Sequence, residues 1–170
     1  NRLQQHEPIQ YILGEAHFAN MILTVNNAVL IPRPETEELV HWIVNSASAT
    51  NNFSILDIGT GTGVLALIAA QRNPNAQITA IEIEDNAFEQ AKDNIKNSPW
   101  SERIECLHSS VQVYSQSFPA PTFEAIISNP PYFDVKASTT IDDQARSNAR
   151  NSSSLSFEEL LDAVLLLLKP

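Results

Sequence analysis

Apolar and polar positions change period along this chain, and the change divides it in two. Residues 17–31 (HFANMILTVNNAVLI) alternate loosely, as two short strands would around the turn residues Asn26-Asn27, and predict a hairpin. Next comes Pro34 with acids at Glu35, Glu37 and Glu38, an N-terminal helix signal. Leu39, Val40, Ile43 and Val44 give that helix one apolar face. Residues 45–52 (NSASATNN) read as a polar linker.

From Phe53 onward, compact apolar runs alternate with helical periodicity. Strands are expected at Ser54–Ile58, Gln77–Ile83, Arg103–Leu107 and Phe123–Ser128. Helices are expected at 63–72 and 85–97, the second with Asp85 as N-cap, and a last one from Ser156, where Glu159 completes capping-box spacing. Residues 133–155 are a long polar stretch. Strand–helix alternation implies an α/β fold, a mainly parallel sheet with helices on both faces. Two units follow: 1–52 as hairpin, helix and linker, and 53–170 as the core. Where the chain stops, at Lys169-Pro170, such a core should turn into another strand. It therefore reads as a fragment lacking its last strands, with the fourth strand left at an edge.

The balance is acidic, 20 Asp and Glu against 10 Lys and Arg. That sign argues against a broad phosphate-binding surface. The lone Cys106 rules out a disulfide framework and fits a reducing, cytoplasmic setting. The longest apolar run, 163–168, falls far short of a membrane span, so no membrane contact is expected. A monomer without a metal is the simplest expectation.

Three of only 4 glycines stand in five residues after the first core strand, Asp57-Ile58-Gly59-Thr60-Gly61-Thr62-Gly63. Ligands of open parallel sheets sit beyond the carboxyl ends of the strands, and glycine lets backbone approach them. The G-x-G-x-x-G dinucleotide spacing fails, because Val64 stands where its third small residue belongs. A Walker ending is also missing. The remaining pattern, G-x-G-x-G with Asp57 two residues ahead, resembles motif I of the Rossmann-like methyltransferases. The resemblance implies S-adenosylmethionine as cofactor, bound by residues 57 and 59–63 (Thr60 and Thr62 included), with Asp57 serving its amino-acid end. Glu82 closes the second core strand, where a carboxylate can accept both ribose hydroxyls, and Ile83 and Val111 would flank adenine. A strand-ending acid can equally cap the next helix.

The fourth core strand ends in Ser128-Asn129-Pro130-Pro131-Tyr132. The two prolines stiffen that corner. An amide or arylamine nitrogen is a poor nucleophile, because its lone pair is delocalised. Acceptors at the Asn129 side chain and the Pro130 carbonyl could grip its hydrogens and aim the lone pair, with Tyr132 on its flat face. Asn129, Pro130, Pro131 and Tyr132 are thus the candidate catalytic residues, and Asn129 is also counted among the cofactor-binding ones. With the glycine loop they resemble the N-methyltransferases that carry Asn-Pro-Pro-Tyr.

Two families then compete for the substrate. Residues 8–15 (PIQYILGE), Phe18, Val25 and 29–40 (VLIPRPETEELV) resemble the release-factor glutamine methyltransferases (HemK/PrmC family). That resemblance covers about the first 44 residues and implies methylation of the Gln in the Gly-Gly-Gln loop of peptide chain release factors. It puts Pro32, Arg33 and Glu35 on the substrate side, although surface ion pairs would explain Arg33 and Glu35 as well. Residues 94–104 (NIKNSPWSERI), Arg146 to Arg150 and 155–161 (LSFEELL) resemble instead a bacterial adenine methyltransferase of valine tRNA. The first resemblance is the longer and more continuous. The acidic balance also suits a protein partner, so a release factor is the expected partner and tRNA the alternative.

Overall fold

The computed structural model describes residues 2–46, 53–117, 120–129 and 155–170, with backbone alone at 37 and 43–46. Four parallel strands form its centre: β3 (Phe53–Ile58), β4 (Ala76–Glu82), β5 (Ile104–His108) and β6 (Ala125–Ser128), in the order β5-β4-β3-β6. All three pairings are parallel, as the alternation implied, and beyond β6 the chain after the last helix returns to form a parallel bridge between Leu168 and Phe123.

Helices cover both faces. On one lie α2 (Pro34–Ser46), α3 (Val64–Arg72) and α4 (Asp85–Lys96). The seven residues from Val64 to Ala70 are all buried, so α3 is apolar all round because it is covered all round. The other face carries α5 (Val111–Gln116) and α6 (Phe157–Leu167), packed on Leu56, Ile58 and Ile81 through Val111, Tyr114, Ala163 and Leu167. The last helix has the expected box: Ser156 accepts from the Glu159 N–H while Glu159 accepts from the Ser156 N–H.

Two local expectations need correction. The hairpin is β1 (Glu15–Phe18) with β2 (Met21–Thr24), and its turn is Ala19-Asn20, not Asn26-Asn27. Both turn residues have positive φ, 48° and 62°, the twist a two-residue hairpin requires. Asn26 instead folds back on itself, its side chain accepting the Ala28 N–H (2.8 Å). The cap of α4 is Glu84, whose carboxylate accepts the Ala87 N–H (2.7 Å), and Asp85 stands one step inside the helix. The described chain also has elements the periodicity did not reveal: α1 (Ile9–Leu13), α5, and short 3-10 turns at Arg2–Gln5 and Ser101–Arg103.

The hairpin lies against the helical layer, not the sheet. Phe18, Ala19 and Met21 pack on the first core cluster, β2 touches α4, and Gln71 of α3 donates to the Ala19 carbonyl (3.1 Å). Beyond β2, Val25 and Val29 bury with Ala87 at the start of α4, flanked by Tyr11 and Ile31. Residues 25–33 are thereby brought to the carboxyl edge of the sheet.

Candidate functional site

Strand register lines up the candidate residues. Ile58 pairs with Ser128 on one side and with Ile81 on the other, and Glu82 pairs with His108. One step further, Asn129, Gly59, Glu82 and His108 form a row along the carboxyl edge, at strand spacings of roughly 5 Å. The Ser128 hydroxyl donates to the Ile58 carbonyl (3.0 Å), tying the end of β6 to the root of the glycine loop. Asn129 is exposed there. Pro130, Pro131, Tyr132, Arg146 and Arg150 lie outside the described residues.

The loop needs its glycines. Gly59, Gly61 and Gly63 have φ of 70°, 59° and 81°, a region other residues enter at a cost. The N–H groups of Gly59 and Thr60 both donate to the Ile81 carbonyl (2.9 and 3.1 Å), which folds the loop over β4. A Cβ on Gly59 or Gly61 would meet open space, whereas one on Gly63 would touch Ala91 and Ile95 of α4 at 3.5 Å. The first two thus face outward, and the third seats the loop on α4.

Two acids flank the loop. Asp57 is fully buried; its Oδ2 accepts from the Thr60 hydroxyl (2.5 Å), and its Oδ1 has no hydrogen-bond partner among the described residues. Burial pushes its pKa up to about 7, helped by the neighbouring Glu82 charge and opposed by the Thr60 hydroxyl and the Ala66 N–H. A buried acceptor left unpaired is costly, so this oxygen suits a donor brought by a ligand. Glu82 is nearly buried and accepts three N–H groups, from Gly61 (2.9 Å), Ile83 (2.9 Å) and Glu84 (3.1 Å). A carboxylate has about four lone-pair sites, so room remains for a hydroxyl. Ile83 is largely exposed beside it.

The adenine-side candidates diverge. Val111 is buried at the start of α5, inside the second core. Ser110 caps that helix, accepting from Val113 (3.2 Å). His108 stacks on Phe88 with ring centroids 4.9 Å apart and lies 3.0 Å from the Ile83 carbonyl. On the substrate side, Arg33 and Glu35 are exposed at the start of α2 and Pro32 is half-buried. Arg33 contributes its carbonyl to the Thr36 N–H (2.9 Å). Cys106 is no nucleophile here, since burial first, then the charges of Asp57 and Glu82, push its thiol up to about 12.

Residues 36–151 match the family model of the methyltransferase small domain. The chain belongs to that family. The orphaned Asp57 oxygen and the open space above Gly59 and Gly61 fit S-adenosylmethionine, the cofactor expected of a methyltransferase domain. The chain's relatives fall into two groups. A tRNA1(Val) (adenine(37)-N6)-methyltransferase of Flavobacterium psychrophilum is 44% identical over 118 residues, covering 69% of this chain and 49% of that protein. A release factor glutamine methyltransferase of the same organism is 41% identical over 134 residues, covering 77% of this chain and 46% of that protein. The chain thus spans about half the length of these curated relatives. Among solved structures, a SAM-dependent methyltransferase from Agrobacterium tumefaciens superposes with a TM-score of 0.65 over 92% of this chain and 49% of its own, at 17% identity, and shares the fold. No helix among the described residues is long and apolar enough to cross a membrane.

The structure adds roles that the sequence patterns did not assign. Ser128 pins β6 to the loop, and Asn94 joins α4 to both β2 and the loop. A strand-ending serine and an asparagine in an amphipathic helix carry no signal by themselves, because their partners are backbone atoms distant in sequence.

Proposed function

We propose that this methyltransferase modifies the side-chain amide of the glutamine in the Gly-Gly-Gln loop of peptide chain release factors. The observation that carries the reading is the seat of the N-terminal segment. Residues 25–33, part of the stretch that resembles the release-factor enzymes, are held at the carboxyl edge by Val25, Val29 and Ala87. Ala87 opens α4, the helix that follows Glu82, so the segment sits beside that end of the row. The longer match to the release-factor relative, 134 residues against 118, and the net charge of -10 support a protein acceptor.

In this reading the loop 59–63, Asp57 and Glu82 hold the cofactor, which supplies an electrophilic methyl group on a sulfonium. Asp57 accepts from its ammonium group through the free Oδ1, and Glu82 from its ribose. Ile83, exposed beside Glu82, would line the adenine side, with Val111 supporting it from the core. The Asn129 side-chain oxygen and the Pro130 carbonyl would accept the two amide hydrogens and so aim the nitrogen lone pair at the methyl donor, with Tyr132 and Pro131 as the further candidate residues of that corner. Bound there, the cofactor would supply its methyl carbon to that lone pair and keep the electron pair of the S–C bond on sulfur, with the surplus amide proton passing to solvent. Orientation of this kind supplies up to about 7–11 kcal/mol, so no strong base is needed. In this reading Pro32, Arg33 and Glu35 would meet the incoming loop. Residues 1–52 serve as the acceptor-side unit and 53–170 as the catalytic unit of a cytoplasmic monomer.

The competing acceptor is an adenine of valine tRNA, favoured by the 44% identical relative. Radiolabelled methyl transfer with the full-length protein separates the two. Label should enter a release factor and vanish when the acceptor Gln is changed to Ala; label confined to total tRNA would reverse the assignment. Replacing Asn129 with Ala should cut turnover at least about a hundredfold, the scale of one lost positioning contact, while cofactor affinity measured by calorimetry stays within about threefold.

A further inference from the structure

Asn94 lies on α4, away from the row at the carboxyl edge, yet it bonds to two segments that bracket that row. Its Oδ1 accepts the Thr24 N–H (2.7 Å), and its Nδ2 donates to the Thr24 carbonyl (3.0 Å) and to the Thr62 carbonyl (3.0 Å). The side chain is nearly buried. Thr24 is the last residue of β2, and one step later Val25 donates back to Gly14 and enters the acceptor-side segment. Thr62 is buried between Gly61 and Gly63, the glycines that give the loop its course. The amide thus acts as a strand partner for the end of the hairpin and as a strut under the cofactor loop.

The chemistry is demanding. The site needs one acceptor and two donors on a short, flat group, and only an asparagine-length amide provides them. Aspartate has the same shape but would turn a carboxylate oxygen toward two carbonyls. Ile95 and Ala91 already fill the space against Gly63, so the loop cannot drop to meet a shorter residue.

We propose that Asn94 is a positioning residue that couples the cofactor loop to the acceptor-side hairpin, so that filling one site orders the other. The inference rests on the hairpin being the acceptor side, as proposed above. Three readouts test it, on full-length wild-type protein and on Asn94→Ala and Asn94→Asp. The first is calorimetric affinity for S-adenosylhomocysteine. The second is hydrogen exchange at residues 21–25 and 59–63, with and without that ligand. The third is KM and kcat on a release factor. Ligand should slow exchange at residues 21–25 in the wild type and leave it unchanged in both variants. Affinity should fall roughly tenfold in Asn94→Ala and further in Asn94→Asp, as loss of a buried hydrogen bond implies. KM should rise more than kcat falls.

Ile78→Val, a core change on β4 away from the site, serves as the control for lost stability. It should lower Tm with affinity and exchange coupling intact. Variants that lose Tm but keep affinity within twofold and keep the coupling would overturn the proposal. So would failure of both variants to fold, which would assign Asn94 to the fold alone. Absence of release-factor methylation by the wild type would defeat the substrate assignment instead, and affinity and exchange would still judge Asn94.

Discussion

A carboxyl group buried like Asp57 gives the site a titration that can be followed. Its folded pKa is raised to about 7 from 3.8, with burial as the main cause. The stability it contributes is therefore present below about pH 4 and lost as the pH climbs through 7. A cofactor ammonium at Oδ1 favours the ionised form and pulls the pKa down. Binding near pH 6 should then release close to one proton, read as a difference in calorimetric heat between buffers of unlike ionisation enthalpy. Asp57→Asn should abolish that release and weaken binding. Equal heats in both buffers for the wild type would contradict an ammonium at this oxygen. The glycines separate binding from folding at the same scale. Gly61→Ala takes on left-handed strain of about 1–2 kcal/mol and sets its Cβ in the open space assigned to the cofactor. Gly63→Ala takes on similar strain and presses on Ile95 and Ala91. Ligand affinity should suffer most in the first and denaturant midpoint most in the second. The glycine triplet was legible because it is dense in a chain with 4 glycines. The Asp57–Thr60 bond and its unpaired companion oxygen were not, since they depend on burial.

Elements announced themselves in proportion to their own local signals. The α6 helix carries its capping box and the core strands carry compact apolar runs, so both were read correctly to within two residues. Helix α5 is six residues long with Val111 and Val113, residues at home in strands, and exists because Ser110 caps it and Val111, Tyr114 and Ser115 are buried. The hairpin turn was misplaced because Asn26-Asn27 looks more turn-like than Ala19-Asn20. Register decides for the latter, pairing Phe18 with Met21 so that Ala16 and Leu23 bury. This makes Ala19, at φ 48°, a strained residue. Ala19→Gly should stabilise the protein by about 1 kcal/mol, seen as a higher urea midpoint at unchanged slope. Ser156→Ala should do the reverse, costing about 0.5–2 kcal/mol through the lost cap.

At the scale of the molecule, the parallel sheet and its two-sided cover were readable from alternation alone. What the sequence could not convey was register, and register is what sets Asn129, Gly59 and Glu82 in one row. The same scale carries a test of how the acceptor is held. A tRNA is held largely by its phosphates, and each neutralised phosphate releases counterions. An enzyme making 6–10 such contacts loses about 10³–10⁵ in affinity between 50 and 200 mM salt. This chain has a net charge of -10, and several of its cations are already engaged. Arg2 pairs with Glu7, Lys169 with Glu124, and Arg103 gives its guanidinium to the carbonyls of Ala70, Asn73 and Ala76 at the end of α3. Few remain among the described residues for a polyanion. A release-factor loop held by shape and amide hydrogen bonds has no comparable counterion term. KM for the release factor should therefore change less than about threefold across that salt range, with kcat flat. A KM that climbs by orders of magnitude would show that charge pairing, and not shape and amide hydrogen bonds, holds the release factor.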